Sequence, residues 1–144
     1  MTHSDKGKYF KKHSQQTKVE DSLKQEVLQA AKENNIACAA AEEIAGRKAV
    51  ALGEFGVALD LLNINIIECQ LGLFGYSPQK KIVQPAKEIA SDLKQVINDA
   101  LSDGRLPCTA AWAIAKQLNL PRMKVSAACE TLQIKIKPCQ LGAF

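Results

Sequence analysis

Aromatic residues make up only 5% of the 144 residues, against 47% apolar residues overall. A core so short of rings is built from Ala, Leu and Ile, which favours helices over a sandwich or barrel. Long apolar runs are also missing. None approaches the roughly eighteen residues that a membrane-spanning helix needs, and the opening of the chain has no apolar stretch of the kind that marks a secretory signal. Histidine is confined to His3 and His13. There is no Cys-x-x-Cys clip, no Gly-rich phosphate loop, no Ser/His/Asp set and no pair of carboxylates placed in a cleft. These gaps point away from an enzyme, a metal centre and a cofactor. The cysteines number five, and an odd count outside a secretory context reads as reduced thiols in a cytoplasm.

The chain does contain the same segment twice, seventy residues apart and without a gap. Leu23-Lys24-Gln25 returns as Leu93-Lys94-Gln95, Cys38 as Cys108, and Ile44-Ala45 as Ile114-Ala115. Ile64 and Ile66 return as Ile134 and Ile136, CQLG at 69–72 as CQLG at 139–142, and Phe74 as Phe144. Constant register over such a length is one folding unit duplicated. Each copy is near the lower size limit for folding alone, so the two are expected to share apolar surface.

The net charge of +4 conceals a polarity. Residues 1–19 carry +4, residues 20–21 carry −2, and copy one (22–75) carries −3 from four basic and seven acidic residues. Residues 76–90 carry +2, and copy two (91–144) carries +3 from seven basic and four acidic residues. The copies therefore differ in sign. Residues 1–19 lack periodicity and read as a disordered basic tail, 20–75 as repeat one, 76–84 as a linker around Ser77-Pro78, and 85–144 as repeat two.

Within repeat one, Ser22 and Gln25 form a capping-box signature, and Leu23, Val27, Ala30 and Ala31 mark a helical face ending at Asn34-Asn35. A short extended piece at Ile36–Cys38, helices near 39–48 and 52–62, and a strand over 64–69 follow. Repeat two shows the same order. Pro85 suits a first helical turn, Ile89, Leu93, Ile97 and Ala100 share a face, and Gly104 is a stop signal. Thr109 is an N-cap candidate for the second helix; a third spans about 123–132, and Ile134–Lys137 alternate as a half-buried strand. Leu71 and Leu141 of the CQLG strings are expected to pack inward beside a glycine turn.

The order helix, short strand, helix, tight turn, helix, strand, with the stretch IAKQLNLPRMKVSAACETLQIKI at 114–136, resembles the winged helix-turn-helix of prokaryotic regulators. Ile44-Ala45, Val50, Phe55-Gly56, Leu59 and Leu62 fit the same template in repeat one. The resemblance implies a mainly α protein with small β, built as two tandem winged-helix-like units. Each repeat ends soon after its strand, so the wings are expected to be truncated. It also implies a cytoplasmic transcription regulator that binds double-stranded DNA through the third helix of repeat two. Arg122, Lys124 and Ser126 would then open the recognition helix toward base edges, while Lys116, Lys135 and Lys137 would meet phosphates. The same residues also fit an ordinary solvated basic surface.

In repeat one the matching face carries Leu52, Glu54 and Val57, with Asp60 beyond. That acidic, apolar set repels phosphate and suits a protein partner, the other copy or a second chain in a homodimer. An alternative function follows: an interaction or assembly module that keeps the fold without binding DNA. The resemblance also implies that Cys38 with Cys69, and Cys108 with Cys139, fall where a short strand and a later strand meet. They read first as core and otherwise as a redox pair or half a metal site. Cys129 reads as core, and Trp112 as an interface or core filler.

Overall fold

The protein is described by a computed structural model covering residues 19–143. Residues 1–18 of the basic tail, and Phe144, therefore lie outside the described residues. Six helices and one two-stranded sheet are present among the described residues: α1 (Asp21–Ala30), β1 (Asn35–Ala37), α2 (Cys38–Arg47), α3 (Leu52–Leu61), β2 (Asn65–Ile67), α4 (Ser91–Asp99), α5 (Cys108–Gln117) and α6 (Arg122–Leu132). The architecture is mainly α with small β.

The duplication is structural as well as sequential. Leu23 and Val27 are buried on α1 as Leu93 and Ile97 are on α4; Cys38, Ala41, Ile44 and Ala45 on α2 as Cys108, Ala111, Ile114 and Ala115 are on α5. Phe55, Gly56, Ala58 and Leu59 on α3 correspond to Val125, Ser126, Ala128 and Cys129 on α6, again all buried.

Four helices end in the same way. The N–H groups of Val50, Leu120, Ile64 and Ile134 donate to the carbonyls of Ala45, Ala115, Leu59 and Cys129, at 2.8–2.9 Å. The residue just before each donor is left-handed: Ala49, Asn119, Asn63 and Gln133, with φ of 54–58°. This is the Schellman closure, in which one left-handed residue turns the chain and an apolar residue after it seals the helix end. It produces the tight α2–α3 and α5–α6 turns. After α1 and α4, two consecutive left-handed residues, Glu33-Asn34 and Asp103-Gly104, close tight turns between Lys32 and Asn35 and between Ser102 and Arg105.

Some terminal signals act differently from their sequence reading. α1 begins at Asp21 without a side-chain cap, and Ser22 Oγ instead donates to Glu20 at 2.7 Å. Thr109 lies inside α5, whose first residue is Cys108. Pro85 precedes α4 by several residues, and Gly104 belongs to the tight turn rather than to the end of α4.

β1 and β2 pair in parallel, Asn35 with Asn65, Ile36 with Ile66 and Ala37 with Ile67. Repeat two reduces this to one parallel bridge, Leu106 with Ile136. No hairpin wing is formed among the described residues.

The compact units do not divide at the linker. Unit 1 consists of the chain up to Cys69 together with Gln140–Phe144, and unit 2 is Gln70–Cys139. Each CQLG string is thus cut after its cysteine. Leu141, 4% exposed, is core to unit 1, and Leu71, fully buried, is core to unit 2.

Candidate nucleic-acid interface

Unit 2 holds ten basic and five acidic residues, a net of +5, whereas residues 19–69 and 140–143 hold four basic and nine acidic, a net of −5. Five of these ten basic side chains fall in two groups. Lys116 is exposed in the last turn of α5 and Lys124 in the first turn of α6, flanking the Schellman turn. The second group surrounds the parallel bridge. Leu106 N–H donates to the Lys135 carbonyl, and Lys137 N–H to the Leu106 carbonyl, each at 2.9 Å. Ile136 points into the core while Lys135 and Lys137 on either side of it are exposed, as is Arg105 beside Leu106. Arg105 was not among the sequence-derived candidates. Its signal lies in the repeat register, because Arg105, Lys135 and Lys137 stand where repeat one has Asn35, Asn65 and Ile67.

The opening of α6 is arranged differently from a free recognition helix. Ser126 is fully buried, and its hydroxyl donates to the Leu71 carbonyl at 2.7 Å and approaches the Met123 carbonyl at 3.0 Å. It presents nothing to a groove, which corrects its assignment to DNA contact. Arg122 is half-buried: its guanidinium lies 3.7 Å above the centre of the Trp112 ring and donates to Gln70 Oε1 at 2.9 Å. Cation and ring attract through the ring quadrupole, so Trp112 orients Arg122.

Further along, Ala86 N–H donates to the Ala127 carbonyl at 3.0 Å, Thr131 Oγ1 donates to the Ala86 carbonyl at 2.6 Å, and Lys81 pairs with Glu130. Gly72 sits against Met123 and accepts from Ile82 and Val83. The stripe 122-126-130 with its neighbours 123-127-131 is therefore contacted by residues 70–86, which leave only Thr131 of these six exposed. Spacing alone missed this strap, since 76–84 reads as a plain linker.

In unit 1, Glu54 is exposed, whereas Leu52, Val57 and Asp60 are half-buried. The large apolar side chain that stands exposed among the described residues is Leu28 on α1, at 50%. Between α1 and α2 a groove of about 290 Å³ is lined by residues that include Glu26, Glu43 and Arg47. Arg47 and Lys48 both pair with Glu26, Lys48 at 3.3 Å. The hydrogen bond from Arg47 holds the Glu26 carboxyl below its usual range.

No protein-family model, curated protein or solved structure matches the chain.

Cys38, Cys69 and Cys108 are buried, and Cys139 is half-buried. Cys129 is a core residue, 1% exposed; burial, with a smaller contribution from Glu130, pushes its thiol up to about 11. No group of three or more potential metal ligands occurs among the described residues.

Proposed function

We propose that the chain is a non-enzymatic DNA-binding regulator in which unit 2 engages double-stranded DNA through phosphate contacts. The observation that supports this reading is the exposed basic surface of unit 2: Lys116 and Lys124 beside the α5–α6 turn, and Lys135 and Lys137 beside Arg105. The α5–turn–α6 order also suits a winged-helix-like unit with its wing reduced to one strand. Phosphate contacts position a protein without reading sequence. With Ser126 buried and Arg122 held on Trp112, base discrimination is weak in this reading.

Electrophoretic mobility shift with duplex DNA at 50 and 200 mM salt tests it. Four phosphate contacts predict a loss of roughly 100-fold in affinity across that range. The double variant Lys135→Glu, Lys137→Glu should bind more weakly and with a shallower salt slope. Absent or salt-insensitive duplex binding would overturn the reading.

One observation favours a second reading, an assembly module that does not bind DNA. The outward stripe of α6 is already occupied by residues 70–86. A homodimer that persists at high salt, from a chain that shifts no duplex, would select it.

A further inference from the structure

Four of the five cysteines recur at equivalent places, and their setting is more specific than core packing requires. Cys38 and Cys108 are the first residues of α2 and α5, each a ten-residue helix. Cys69 and Cys139 follow the strands that pair beside those helix starts. In unit 1 the ladder ends with Ala37 opposite Ile67, so Cys38 lies one residue and Cys69 two residues beyond it. In unit 2 the Cys108 N–H donates at 3.1 Å to the carbonyl of Pro138, the group immediately before Cys139. Neighbouring strands lie about 4.7–4.9 Å apart, and disulfides take Cα separations of about 4.4–6.8 Å. The hydrogen bond from Cys108 places it beside the peptide unit that joins Pro138 to Cys139.

Exposure separates the two pairs. Cys38, Cys69 and Cys108 are 7%, 6% and 5% exposed, whereas Cys139 is half-buried and accessible.

We propose that Cys108 and Cys139 form a reversible dithiol–disulfide site in unit 2, oxidised by a low-molecular-weight disulfide of the glutathione type, while the equivalent pair in unit 1 stays reduced. The Cys139 thiolate attacks one sulfur of the small disulfide; an S–S bond to the protein forms, the small S–S bond breaks, and one small thiol leaves after taking up a proton. The Cys108 thiolate then attacks the Cys139 sulfur, closing the protein disulfide and releasing the second small thiol. The protein pair loses two electrons and two protons, and the small disulfide gains them as its two thiols. The bridge ties the start of α5 to the residue at which the chain leaves unit 2. Cys129, inside the core, takes no part.

The test uses the full chain under native conditions, incubated with oxidised glutathione, alkylated and digested with trypsin. The expected product is a disulfide-linked pair of peptides, 106–116 with 136–144, while Cys38, Cys69 and Cys129 are recovered alkylated. Cys108→Ser should stop at the mixed disulfide on Cys139, and Cys139→Ser should leave Cys108 alkylated. A native chain that remains a mixed disulfide at Cys139, cross-links Cys38 to Cys69 to the same extent, or does not react overturns the proposal.

Discussion

Gly56 and Ser126 occupy equivalent positions and meet equivalent carbonyls by different means. A Cβ on Gly56 would lie 2.2 Å from the Leu141 oxygen and 2.8 Å from its carbonyl carbon, so the absence of a side chain admits that backbone. At Ser126 the hydroxyl instead donates to the Leu71 oxygen. Gly56→Ala should therefore destabilise unit 1 by about 1–3 kcal/mol through overpacking against backbone, measured by chemical denaturation. Ser126→Ala should cost about 1–2 kcal/mol, the loss of one buried hydrogen bond to a carbonyl. Nothing near Ser126 in sequence announces its burial: the acceptor lies fifty-five residues earlier. The helix-turn-helix spacing places it on the outer face, and the arrival of Leu71 turns that face inward. Arg122 was legible as a cation at the start of α6, but its stacking on Trp112 depends on how α5 and α6 pack.

Helix positions were legible at the scale of elements because apolar periodicity and turn residues agree along each repeat. The start of α3 at Leu52 and the course of α6 follow from that pattern. Capping was less legible, since Ser22 finds a closer partner in Glu20 than the helix start offers. The Schellman ends suggest a direct test. Ala49 holds φ of 54°, where a Cβ is crowded by its own backbone. Ala49→Gly should stabilise the protein by roughly 1 kcal/mol, and Asn119→Gly by less, because Asn tolerates that conformation better; thermal unfolding of both variants checks this. α1 and α2 are tied by Glu26 with Arg47 and Lys48. The Glu26 carboxyl is depressed from its usual 4.5, so its stabilising contribution is present above that value and fades as pH falls through the lower folded value. Glu26→Gln should remove that step, making the acid limb of stability shallower below about pH 4.5. The half-buried carboxyl is still reached by solvent, which screens the pair, so the change should be small.

For the molecule as a whole, the chain assigns residues 70–139 to one unit and returns 140–144 to the other. The last residues thus belong to the core of unit 1 through Leu141 and Gly56. Removing Gln140–Phe144 should lower hydrogen-exchange protection in α3 and leave α6 protected, as read by mass spectrometry. A tail with no structural role would change neither helix. Unit 2 carries +5, whereas the −5 of residues 19–69 and 140–143 is largely offset by the +4 of residues 1–18, so a polyanion should be attracted by unit 2 and by the basic tail.

The duplication, the helical class and the approximate course of the helices were written in the order of residues, because local periodicity and turn chemistry act over a few neighbours; the start of α4, at Ser91 rather than near Pro85, was not. The sign of each repeat was written there too, since charge is a property of composition. The burial of Ser126, the holding of Arg122 between Trp112 and Gln70, and the covering of α6 by residues 70–86 were not. Those depend on contacts between residues far apart in the chain, which only the folded backbone brings within hydrogen-bond reach. The same long-range pairing, Leu106 beside Ile136, brings Cys108 to Cys139 and sets Lys135 and Lys137 outward together.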